Sequence, residues 1–191
     1  MDKERMMKKT GAELRKKIKA LEKRTEKELE KNGLICLSDK HAGLRIFLPE
    51  GKITNGTLPV ECRLTFVIPD KHLKLEFLLC NCSNRSAAQC LEDYLQLCNA
   101  FLAKECDSYG SSYRADYSVK DGICVLTGYL SFAGLYRGEL SGFIAGMDRI
   151  RRKHINDLTM LSDGIVPGRI KQNIKERYDR MRHEWMRTEI V

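Results

Sequence analysis

Apolar and polar positions alternate most regularly between residues 60 and 79. Val60, Cys62, Leu64, Phe66 and Ile68 fall on one side of the chain while Glu61, Arg63 and Thr65 fall on the other, the period of a strand with one buried face. Pro69-Asp70-Lys71 predicts a turn, and Leu73, Leu75, Phe77 and Leu79 return opposite His72, Lys74 and Glu76. A shorter apolar-rich run at 44–48 precedes this pair, after the pattern changes at Asn32-Gly33. A second hairpin is predicted where Tyr113, Ala115, Tyr117 and Val119 alternate with Arg114, Asp116 and Ser118. Asp121-Gly122 supplies its tight turn and residues 123–132 its return.

Elsewhere the period is helical. Residues 3–31 contain no proline, one glycine and many strong helix formers, with Met7, Leu14, Ile18 and Leu21 at heptad-like spacing. A helix over 87–104, with Ser86 as its cap, carries Leu91, Tyr94, Leu95, Cys98 and Leu102 on one face. Another over 137–158 turns Leu140, Phe143, Ile144, Met147, Ile150 and His154 inward. After Asp163-Gly164 and Pro167-Gly168, a last helix lines up Ile170, Ile174, Tyr178, Met181 and Trp185. The predicted class is α+β: an antiparallel sheet of about five strands packed by helices, in the order strands, helix, hairpin, helix, with long N- and C-terminal helical extensions. It divides into a basic helical extension at 1–32, an α+β body at 33–164 and a basic C-terminal helix at 165–191.

Charge sharpens this division. The 191 residues carry a net charge of +8, yet residues 33–164 are neutral. The first 32 residues hold twelve Lys/Arg against seven Asp/Glu, and residues 165–191 hold seven against four. All the excess lies on the flanks, which points to arms that meet something acidic, or to solvated helix faces. The candidate partner-binding residues are Lys8, Lys9, Arg15, Lys16, Lys17 and Lys19, with Arg169, Lys171, Lys175, Arg180 and Arg182. No apolar run is long enough to span a membrane and the N-terminus lacks the apolar core of a secretion signal, so a cytoplasmic protein is expected.

The segments DYLQLCNAFLAK, with Asn99 in a leucine-rich helix, and YRADYSVKDGICVLTGYL, with its Asp-Gly hairpin, are followed by an amphipathic helix from Glu139. Over residues 44–158 this order resembles the YbjN family, whose fold is that of type III secretion chaperones. The resemblance implies binding of extended protein segments, commonly by dimers, and brings no catalytic residues with it. Both basic helices depart from the family's pattern.

Eight cysteines, at 36, 62, 80, 82, 90, 98, 106 and 124, are spread over predicted strands and helices. Only Cys80 and Cys82, within LCNCSNRSAAQC, approach a ligand spacing, and no second pair of cysteines or histidines completes a zinc knuckle. They are read as core or boundary thiols, with neither metal nor cofactor. Gly134, Gly138, Gly142 and Gly146 recur every fourth residue, so Gly138, Gly142 and Gly146 are expected to form a packing ridge on the last body helix or at a homodimer interface. No nucleophile elbow, zinc-protease motif or phosphate loop occurs. The expectation is a protein-binding module without catalysis, chaperone-like or adaptor-like; the alternative is a nucleic-acid or nucleoprotein accessory acting through the basic helices.

Overall fold

The alternation between residues 60 and 79 becomes two paired strands in the computed structural model of the chain. The structure describes residues 2–39, 43–48, 60–82, 88–108 and 113–188, and the side chains at 13, 16–38, 43–48, 60–82, 88–103 and 114–180. In chain order the elements are α1 (Asp2–Lys31), β1 (Ile35–Asp39), β2 (Gly43–Leu48), β3 (Val60–Val67), β4 (His72–Asn81), α2 (Ala88–Ser108), β5 (Tyr113–Lys120), β6 (Ile123–Ser131), α3 (Phe132–Tyr136), α4 (Leu140–Ser162) and α5 (Gly168–Thr188). The class is α+β, with a sheet ordered β1-β2-β3-β4-β6-β5. The chain divides into two compact units: Met1–Glu76 with Gly128–Gly146, and Phe77–Thr127 with Met147–Val191.

In the first unit the register pairs apolar residues across strands. Leu44 faces Leu64, Ile46 faces Cys62, and Leu64 faces Leu75. All are buried, so a slip of one residue would turn the whole row to water. The same register sets Arg45 beside Arg63, a like-charge contact relieved by the paired hydrogen bonds from Arg45 to the Glu61 carboxylate at 2.7 and 2.6 Å. In α1, Leu21, Thr25 and Leu29 are buried. These positions lie one turn apart on a single stripe, so this part of α1 is core and not merely a charged face.

Among the described residues the sheet has six strands, one more than expected. The additional strand, β1, lies at one end of the sheet order, and its Ile35 and Leu37 are exposed. Its apolar side chains do not mark a buried face, which is why no alternation announces it. The helix expected over 137–158 is also different. Ser131 caps the short α3, its Oγ accepting from the Gly134 N–H at 3.1 Å, and Gly138 then takes a left-handed φ of +79°. The chain turns there before α4 begins at Leu140.

In the second unit Asn99 joins α2 to β5. Its amide donates to the Tyr117 carbonyl at 2.9 Å and accepts from the Tyr117 N–H at 2.7 Å, giving β5, the last strand in the order, the two bonds that a neighbouring strand would otherwise make. Asp121 and Gly122 both have positive φ, 51° and 75°, as the tight hairpin turn between β5 and β6 requires.

Candidate functional site

The spacing of cations on α1 builds a groove in the first unit. Lys17, Arg24 and Lys31 recur every seventh residue and therefore share one side of the helix. Together with Lys23, Lys27 and Lys71 they line a cavity of about 1210 Å³. Leu21, Ile68, Phe132 and Tyr136 supply its apolar surface, and Glu28 is the one acidic residue lining it. Lys71 is held there by the β3–β4 turn, with a φ of 53° and its carbonyl accepting from the Phe132 N–H at 2.8 Å. Arg24 lies 4.7 Å from the Tyr136 ring centre and donates to the Tyr136 carbonyl at 3.1 Å, which fixes one wall. Tyr136 itself is 57% exposed, so an aromatic face remains open beside the cations. Such a lining attracts an anionic chain and offers apolar contact once it has arrived.

Among the described residues, Lys17 is the one basic residue expected to bind a partner that lines the groove. Lys16 and Lys19 are exposed on α1 but do not line it. The side chains of Lys8, Lys9, Arg15 and Arg182 lie outside the described residues, as do Ser86, Met181 and Trp185. On α5, in the second unit, Lys171, Lys175 and Arg180 are exposed, whereas Arg169 is paired with Asp157. Tyr178 of α5 donates to the Asp93 carboxylate of α2 at 2.8 Å, so part of the last helix is tied down. Sequence reasoning missed Lys23, Arg24, Lys27, Lys31 and Lys71. The seven-residue spacing of 17, 24 and 31 was a usable signal; Lys71 comes from a distant turn and left none.

The glycines do not form one ridge. Gly138 precedes α4 and serves the turn, Gly142 is exposed with open space where a side chain would stand, and Gly146 is buried. A spacing of four makes a ridge only on a continuous helix, and the turn at 137–139 interrupts it. Gly134, before the turn, is tightly packed: an added Cβ would stand 2.6 Å from Leu130 Cδ1 and 2.8 Å from a Glu139 carboxylate oxygen.

The second unit holds two clusters of reactive groups. Tyr117 Oη lies 2.8 Å from His154 Nδ1 and donates to the Ile150 carbonyl at 3.3 Å, while Tyr94 donates to Asp157 at 2.9 Å. Burial pushes both phenols up, so these hydroxyls stay neutral donors that hold α4 against α2 and β5. Cys62, as expected, is buried on its strand, and Cys98 is buried on its helix.

The other cluster brings together thiols that the sequence spreads over different strands. Cys80 and Cys82, two residues apart along the end of β4, meet Cys124 of β6, and the three sulfurs lie within 4.8 Å of one another. The Cys82 N–H donates to the Gly122 carbonyl at 2.6 Å, fixing the chain beyond β4 against the β5–β6 turn. The Cys80 thiol also faces the Leu158 carbonyl of α4 at 3.6 Å. A hydrogen bond from Cys124 holds the Cys80 thiol low, at about 7, against the effect of burial. Cys82 is pushed up to about 11 by burial and the charge of Cys80, and Cys124 is pushed up by its bond to Cys80 and then by burial. Cys80 is therefore the thiolate of the group.

No helix among the described residues is long and apolar enough to cross a membrane. No protein-family model, curated protein or solved structure matches the chain.

Proposed function

We propose that this chain is a binding module without catalysis, chaperone-like or adaptor-like, that receives an acidic, partly apolar segment of a protein partner in the α1 groove. The observation that carries the reading is the lining: six cations, one acid and an apolar floor, gathered from α1, the β3–β4 turn and α3. Acidic side chains of a partner would neutralise the lysines while its apolar residues displaced water from Leu21, Ile68 and Phe132. The YbjN-like order of elements agrees with a role of this kind in the cytoplasm.

The Arg24–Tyr136 pair favours a second reading. A cation beside an open aromatic face also suits single-stranded nucleic acid, where a base stacks and phosphates meet lysines.

One titration separates the two. An acidic amphipathic peptide and a single-stranded oligonucleotide are each titrated into the full chain and into a Lys17→Glu/Lys27→Glu/Lys31→Glu variant. The protein-binding reading expects saturable binding of the peptide, weakened at least ~10-fold by the reversal, and a weaker response to the oligonucleotide. Tighter binding of the oligonucleotide, lost in the same variant, selects the second reading. Binding of neither, or binding indifferent to the reversal, rejects the groove as the site.

A further inference from the structure

The thiols at the end of β4 stand apart from the groove and have a different chemistry. Cys80 belongs to β4 and Cys82 follows its last residue, so the two side chains, two positions apart on an extended segment, leave the same side of the chain. The neighbouring strand in the sheet order, β6, brings Cys124 to them. Two of the three are only half-buried and the third is buried, so an ion could enter from the open side and be held on the closed side. In a tetrahedral zinc site with Zn–S bonds of about 2.3 Å the sulfurs stand about 3.8 Å apart, and sulfurs already within 4.8 Å of one another reach that spacing by side-chain rotation.

We infer that Cys80, Cys82 and Cys124 bind one thiophilic divalent cation of the Zn²⁺ type through three thiolates, joining the end of β4 to β6. Each thiol gives up its proton to solvent as its sulfur donates an electron pair to the metal, so one equivalent of Zn²⁺ releases protons and no electrons are transferred. Three thiolates leave the fourth tetrahedral position to water or to an oxygen from the end of α4, whose Leu158 carbonyl the Cys80 thiol already faces at 3.6 Å. Soft sulfur donors with few oxygens favour zinc or cadmium over magnesium or calcium. At the sequence level the site is invisible because the C-x-C pair lacks a second pair nearby; the third ligand comes from the other hairpin.

The test uses the full chain, reduced and stripped of metal, titrated with Zn²⁺ and separately with Co²⁺. The proposal expects one equivalent to bind, a cobalt–thiolate charge-transfer band, and a fall of about tenfold in iodoacetamide labelling of Cys80, the thiol of the three that labels readily in the metal-free chain. Labelling of Cys36 and Cys90 should not change. Because mapped labelling reads the wild-type chain, it stands even where a variant fails to fold. Cys80→Ser and Cys82→Ser should each lose the band, while Cys36→Ser and Cys90→Ser keep it. The proposal is overturned by the absence of saturable binding to the reduced chain, by protection of other cysteines instead, or by a band that survives in both Cys80→Ser and Cys82→Ser. Isolation from reducing buffer of a metal-free chain with Cys80 in a disulfide to Cys82 or Cys124 would overturn it too.

Discussion

At Gly43 the backbone has a φ of +109°, and a Cβ there would meet the Leu64 carbonyl oxygen at 2.1 Å. Both the dihedral and the contact exclude a side chain, and the atom in the way is strand backbone that cannot rotate aside. Gly43→Ala should cost about 2 kcal/mol or more. Gly138 has a positive φ but open space around it, so Gly138→Ala should cost only about 1 kcal/mol. Urea denaturation of the two variants measures the difference, and an equal loss would show that conformation alone decides. The thiols make a second residue-scale prediction. In the reduced, metal-free chain Cys80, held at about 7, should be alkylated well ahead of Cys82, pushed up to about 11. The thiolate is the reactive form, so labelling of Cys80 should level off above pH 7 and fall about tenfold for each unit below it. Quenched labelling with mapped peptides reads this directly; a Cys80 rate still climbing between pH 8 and pH 9 would contradict the assigned hydrogen bond.

Among the elements, α1 is the one whose role differs most from what its composition suggests. Its charge reads as a solvated arm, yet Leu29 is 1% exposed and Thr25 is fully buried. Leu29→Ala should therefore cost about 3 kcal/mol, whereas Lys16→Ala and Lys19→Ala should stay within about 0.5 kcal/mol of the parent. Thermal unfolding of the three variants tests whether α1 is part of the folded unit. The elements legible in the sequence are those whose period coincides with burial: β4 alternates in burial from His72 to Phe77 and β3 from Cys62 to Leu64, and the Asp121-Gly122 turn is marked by its own residues. Those that were not legible carry no such mark. In β1 the apolar Ile35 and Leu37 face water, and the α3–α4 break depends on one glycine dihedral inside an otherwise helical pattern.

At the scale of the whole molecule, the net charge of +8 is not a uniform coat. On α1 the cations flank an apolar floor, whereas on α5 Arg169 is engaged with Asp157 and the exposed Lys171 and Lys175 do not line that groove. Reversing Lys171 and Lys175 should consequently change peptide affinity far less than reversing Lys17, Lys27 and Lys31. The remaining effect should fade as salt rises, since it acts through long-range attraction alone. The sequence by itself determined the α+β class, the two hairpins, the inward faces of α2 and α4 and the flanking excess of charge, because each follows from residue type at a local period. Only the tertiary structure decided which cations share a groove with Lys71 and which cysteines meet Cys124. These neighbours come from segments far apart along the chain, and their proximity is fixed by strand order and helix packing, which leave no local period to read.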